Sequence, residues 1–164
     1  TGHVRELVEM FPDAKFVLIH RDPYEVFSST VYCFEKVFKM WALQRLGSYD
    51  IVESTISNFR DITEKYFTER DLIPHGNLVE IAYTDLDRTP IETLRSVYAA
   101  VNLPEFQSVE PTMNRYLDSL GRYEKNRHRQ LDLGLQDRLV HEWRRYFSEW
   151  GYSDHAGPTK RRAA

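Results

Sequence analysis

The sequence predicts an α/β protein in which a small parallel sheet is flanked by many helices. Residues 16–19 form an apolar run of strand length bounded by turn residues, and residues 78–83, after a turn, read as a second buried strand. Runs of that kind mark strands covered on both faces, as parallel sheets are. The segments between and after them repeat apolar residues at helical spacing. Helix, strand, helices, strand, helices is the order of an α/β chain.

The elements follow in order. Val4, Leu7, Val8 and Phe11 give an amphipathic helix that Pro12-Asp13 closes. After the first strand, Asp22 is placed to cap a helix, with Pro23 at its first position and Glu25 as capping-box partner. Val26, Phe27, Val31, Phe34, Val37, Phe38 and Trp41 supply its apolar face until Gly47-Ser48. Val52, Ile56, Phe59, Ile62, Tyr66 and Phe67 mark another helix, and Pro74 to Asn77 a turn into the second strand. Thr89-Pro90-Ile91-Glu92 starts a helix reaching about Val101, and residues 104–117 read as one or two short helices. Residues 119–130 read as a polar, basic loop. Leu135, Leu139, Trp143, Phe147 and Trp150 then build one final helix, stopped by Gly151.

Composition narrows the classes of function. The 164 residues are 41% hydrophobic and 29% charged, enough for one sizeable core in a single domain through residue 155, with 156–164 a basic tail. A net charge of −3 makes the surface no general trap for nucleic acid or anionic lipid, so no nucleic-acid partner is expected and any anion site must be local. No apolar stretch is long enough to span a bilayer. The single cysteine, Cys33, has no intrachain partner, which fits a reducing, cytoplasmic setting. Among Val31, Phe34 and Val37 it reads as a small core filler. The six histidines show no metal-ligand spacing, and His141-Glu142 lacks the second histidine of a zinc helix, so no metal is expected. The seven glycines form no phosphate-cradling loop. Two strands are too few for a sheet with covered faces, and the chain opens on Thr rather than Met, so a further strand is expected upstream.

The junction of the first strand with its helix is the candidate site. Arg21 leaves the strand at its carboxyl end, where open α/β sheets hold ligands, and Ser29 follows eight positions later on the helix. A guanidinium with its charged planar fork suits a phosphate. The same spacing also permits Arg21 to pair with Asp22 or Glu25 while Ser29 packs as a small residue. Arg122, Lys125, Arg127, His128 and Arg129 gather cations within one loop, opposed only by Glu124. They are either aimed at a phosphate or simply solvated.

The segment from Phe11 through Pro23, Phe-Pro-Asp-Ala-Lys-Phe-Val-Leu-Ile-His-Arg-Asp-Pro, followed by Ser29, resembles the 3′-phosphate-binding segment of bacterial-type sulfotransferases. These enzymes use 3′-phosphoadenylyl sulfate (PAPS). Ile81 to Leu86, followed by Pro90, is similar to that family's Tyr-Glu-Asp-Leu strand end, with Thr84 in place of the usual Glu. Leu120 to His128 resembles the loop that closes over the nucleotide, and Trp143 to Gly151 the family's terminus. The resemblance implies a P-loop NTPase-like three-layer sandwich, present here as its C-terminal part without the strand and loop that grip the 5′-phosphosulfate. It assigns Arg21 and Ser29 to the donor's 3′-phosphate, Tyr83 to the adenine, and Lys125 and Asn126 to the closing loop. No catalytic residue is assigned, because the general base falls upstream of Thr1; this stretch alone is expected to be inactive. The implied reaction moves a sulfuryl group from PAPS to a hydroxyl or amine of a small-molecule, glycan or peptide acceptor, releasing 3′,5′-ADP without a metal. The aromatic-rich helices of residues 34–73 would cover the acceptor side, although core packing explains them equally. The alternative is a noncatalytic adenosine-phosphate-binding or protein-interaction module of the same fold.

Overall fold

A computed structural model describes residues 2–41, 49–120 and 131–154, which divide into two compact units. One unit comprises residues 1–21 and 65–127, the other residues 22–64 and 128–164. The side chain of Trp41, the helix end before Gly47, the loop 121–129 with Lys125 and Asn126, and the basic tail lie outside the described residues.

The first unit holds the sheet. β1 (Phe16–His20) and β2 (Leu78–Ala82) pair in parallel, in register from Phe16 opposite Leu78 to His20 opposite Ala82. A parallel pair needs a long crossover, and two helices supply it: α2 (Pro23–Trp41) and α3 (Ile51–Glu69). α1 (Val4–Met10) precedes β1. After β2 come α4 (Tyr83–Arg88), α5 (Pro90–Ala100), which packs on β2, and α6 (Phe106–Ser119). Val4, Tyr66, Phe67, Ile73, Val97, Val101 and Phe106 are buried here. α6 is a single helix in spite of Pro111 in its interior.

Burial in β1 alternates, against the expectation of a strand covered on both faces. Val17 and Ile19 are 46% and 50% exposed, while Phe16, Leu18 and His20 are half-buried. The pleat sends alternate residues to opposite faces, and two described strands are too few to be flanked on both. β2 ends one residue early, because Tyr83 opens α4 instead of closing the strand.

The second unit is an aromatic helix cluster built from α2, most of α3, α7 (Leu133–Glu142) and α8 (Arg144–Trp150). The expected single final helix is interrupted at Trp143, whose backbone lies at φ −109° and ψ 25°. Trp143 is 2% exposed; its indole N–H donates to the Ile56 carbonyl at 3.0 Å, and its ring meets Phe59 and Phe27. Tertiary contacts fix that break, and helical periodicity does not report them. Gly151 ends α8 in the left-handed region at φ 65°, as the sequence reading required. Cys33 is exposed, not a core filler. It lies six residues past buried Phe27, roughly 240° around the helix, and none of the described side chains from Val31 to Met40 is buried.

Candidate functional site

The strand–turn–helix segment forms as its residues dictate. The Asp22 carboxylate accepts the N–H of Tyr24 at 2.9 Å and of Glu25 at 3.1 Å, satisfying orphan donors at the start of α2. Pro23 opens the helix, where its missing donor costs nothing. Ser29 lies in the second turn of α2, half-buried. The corresponding start of α5 works differently. Thr89 precedes Pro90, but its hydroxyl turns back to the Asp85 carbonyl and caps nothing in α5.

The structure brings Arg21 and Tyr83 together. Each is the first residue beyond its strand, and the register sets the ends of β1 and β2 side by side. The Arg21 guanidinium carbon stands 4.3 Å from the centre of the Tyr83 ring, within cation–π range. A guanidinium and an aromatic face therefore meet at the carboxyl end of the sheet, the ligand-binding end of α/β folds. Lys125 and Asn126 lie outside the described residues.

An open cleft of about 600 Å3 borders the same sheet end, lined by His20, Glu80, Asp85, Arg88, Glu92 and other residues of β2, α4 and α5. Neither Arg21 nor Tyr83 lines it. Its carboxylates outnumber its one guanidinium, and Arg88 is already paired with Asp85 at 3.4 Å. An anion is therefore disfavoured in this cleft. Burial pushes the His20 imidazole below its usual range, against the opposing pull of Glu80 and Asp85, which favours its neutral form. Glu80 is tied down by the Tyr66 hydroxyl at 2.5 Å and by Arg70 at 3.4 Å. The sequence reading missed this polar group. A glutamate within the otherwise apolar residues 78–83 was the available signal, since parallel pairing sets Glu80 and His20 on one face.

On α2 the second unit presents an aromatic ledge. Phe34 stacks on Phe38 with centroids 5.4 Å apart, and Tyr49 meets Phe38 edge-on at 5.4 Å. Among the described residues no group of three or more His, Cys, Asp or Glu is arranged to hold a metal ion. No helix of these residues is long and apolar enough to cross a membrane.

Comparison with known proteins decides the class. A model of the sulfotransferase family matches residues 1–108, a stretch containing Arg21, Ser29 and Tyr83. The chain belongs to the sulfotransferase family. Curated relatives include the omega-hydroxy-beta-dihydromenaquinone-9 sulfotransferase Stf3 of Mycobacterium bovis and that of Mycobacterium tuberculosis. Each is 28% identical over 152 residues, covering 93% of this chain and 39% of the relative. Among solved structures, sulfotransferase STF9 from Mycobacterium avium shares the fold at TM-score 0.74 and 19% identity, over 90% of this chain and 39% of that one. The chain thus spans about two fifths of the length of these sulfotransferases.

Proposed function

We propose that this chain forms the 3′-phosphate and adenosine side of the donor site of a PAPS-dependent sulfotransferase with a P-loop NTPase-like sheet. The observation that supports this best is the Arg21 guanidinium held 4.3 Å over the Tyr83 ring, where β1 and β2 end. A 3′-phosphate needs a fixed cation and an adenine needs a flat apolar face; family pattern and local geometry agree on those two residues. Ser29, Lys125 and Asn126 complete the set by family pattern.

In this reading an acceptor oxygen or nitrogen attacks the sulfur of PAPS in line. One bond to sulfur forms as the bond from sulfur to the bridging phosphate oxygen breaks, and 3′,5′-ADP leaves. The acceptor's proton passes to a general base, a role given to none of the residues named here. Positioning and stabilisation of spread negative charge do most of the work in such transfers. Arg21 lies at the end of the donor remote from sulfur and acts by binding, which holds the reacting end in place. The relatives named above act on an omega-hydroxylated menaquinone derivative, and the half-buried aromatic pair Phe34 and Phe38 of α2 favours an acceptor whose hydroxyl sits on an apolar body.

Equilibrium binding of adenosine 3′,5′-bisphosphate against adenosine 5′-phosphate tests the reading. The chain should prefer the bisphosphate. Arg21→Ala should remove that preference, worth roughly tenfold or more for a charge-assisted phosphate contact of about 1.5–3 kcal/mol. Equal affinity for the two nucleotides in the unsubstituted chain would falsify the assignment.

A further inference from the structure

The geometry points to Tyr83 as a positioning residue for Arg21, its ring serving as the platform that holds the guanidinium in place for the 3′-phosphate. The inference rests on the donor-site reading above and adds to it. There Tyr83 serves the adenine; here its aromatic face also determines recognition of a phosphate that the tyrosine itself does not touch.

The argument begins with the strand register. Because His20 lies opposite Ala82, the residues that follow, Arg21 and Tyr83, emerge side by side from adjacent strands. Arg21 is half-buried and has a long side chain with many rotamers, whose ordering on binding reduces affinity. A ring 4.3 Å beneath the guanidinium carbon favours one of those rotamers before any ligand arrives. Tyr83 is itself held at the first position of α4, immediately after β2, so the platform is anchored to the sheet and not to a free loop. The face is what matters for positioning, and the hydroxyl is not required.

The test is a double-mutant cycle read as a preference. Affinities for adenosine 3′,5′-bisphosphate and adenosine 5′-phosphate are measured for the unsubstituted chain, Arg21→Ala, Tyr83→Leu, Tyr83→Phe and the Arg21→Ala/Tyr83→Leu pair. Circular dichroism confirms that each variant is folded. Tyr83→Met, which fills similar space without a π face, is the second variant should leucine disturb folding.

Tyr83→Leu should lower the preference for the bisphosphate on the order of tenfold, the upper part of the cation–π range. Tyr83→Phe should restore most of it. The double variant should prefer the bisphosphate no less than Arg21→Ala alone, because the platform has nothing left to position. If Tyr83→Leu and Tyr83→Met weaken both nucleotides equally and leave the preference intact, Tyr83 serves the base only and the positioning role is overturned. Losses in preference that multiply in the double variant overturn it as well. A preference that is absent from the unsubstituted chain, or that survives Arg21→Ala, instead overturns the donor-site reading on which the inference rests.

Discussion

Replacing Trp143 should measure how firmly the helices of the second unit are held together. The indole is 2% exposed, its ring lies 4.2 Å from Phe59 and 6.0 Å from Phe27 between centroids, and its N–H donates to the Ile56 carbonyl at 3.0 Å. Truncating a buried Trp to Ala removes ring burial and leaves a cavity, together about 3–5 kcal/mol. The lost hydrogen bond, about 1 kcal/mol, falls within that total. Trp143→Phe keeps most of the ring and loses the donor, so about 1–2 kcal/mol is expected. With a urea dependence of about 2 kcal/mol per molar, the midpoint should fall by ~2 M for Ala and by ~0.5–1 M for Phe. Against a total stability of about 5–15 kcal/mol, the Ala variant is expected to be marginal. Urea unfolding followed by circular dichroism gives both numbers without relying on the tryptophan's own fluorescence. A midpoint for Trp143→Ala within ~0.3 M of the unsubstituted chain would refute the packing described. Equal losses for Phe and Ala would show that the hydrogen bond, not the ring, dominates.

Two further predictions concern pH. The Tyr24 phenol, buried and donating to the Asp154 carbonyl at 2.8 Å, is pushed up to about 12 by burial first and then by Asp22, Asp154 and Asp137. An acid raised on folding favours the folded state while it stays neutral, so stability should fall as pH rises through about 10 towards 12. Tyr24→Phe should cost about 1 kcal/mol near neutrality and lose less stability than the unsubstituted chain between pH 8 and 11; parallel alkaline losses in the two proteins would contradict this. His20 is lowered by burial, with Glu80 and Asp85 opposing. A base lowered on folding costs nothing at high pH and destabilises as pH falls below its ordinary value of about 6.5. His20→Gln should therefore narrow the loss of stability between pH 7.5 and 5.5, and an unchanged or wider loss would count against a half-buried imidazole held neutral.

Local chemistry was readable wherever a backbone need is met by the adjacent side chain. Asp22 caps α2, Pro90 begins α5 and Gly151 stops α8, each where sequence rules place it. Both strands lie where apolar runs of strand length predict them. Periodicity alone misled where the outcome depends on what lies across from a residue. Cys33 has apolar neighbours in sequence but is turned away from the buried face of α2, and Val17 and Ile19 are apolar yet half-exposed. Thr89 looked like a helix cap, but its hydroxyl donates to the Asp85 carbonyl and accepts no N–H of α5.

The sequence by itself determined the helix-rich α/β class, the capped strand–turn–helix at Arg21 and Asp22, and the pairing of that segment with residues 81–86 as marks of a sulfotransferase. Those follow from short-range preferences and from motif order, which one chain can display. Only the tertiary structure decided that Arg21 and Tyr83, 62 positions apart, share one contact. It also decided that His20 and Glu80 border a cleft that disfavours phosphate, and that the last helix breaks at Trp143. Strand register and burial against distant partners set those features, and neither is encoded in the spacing of neighbouring residues.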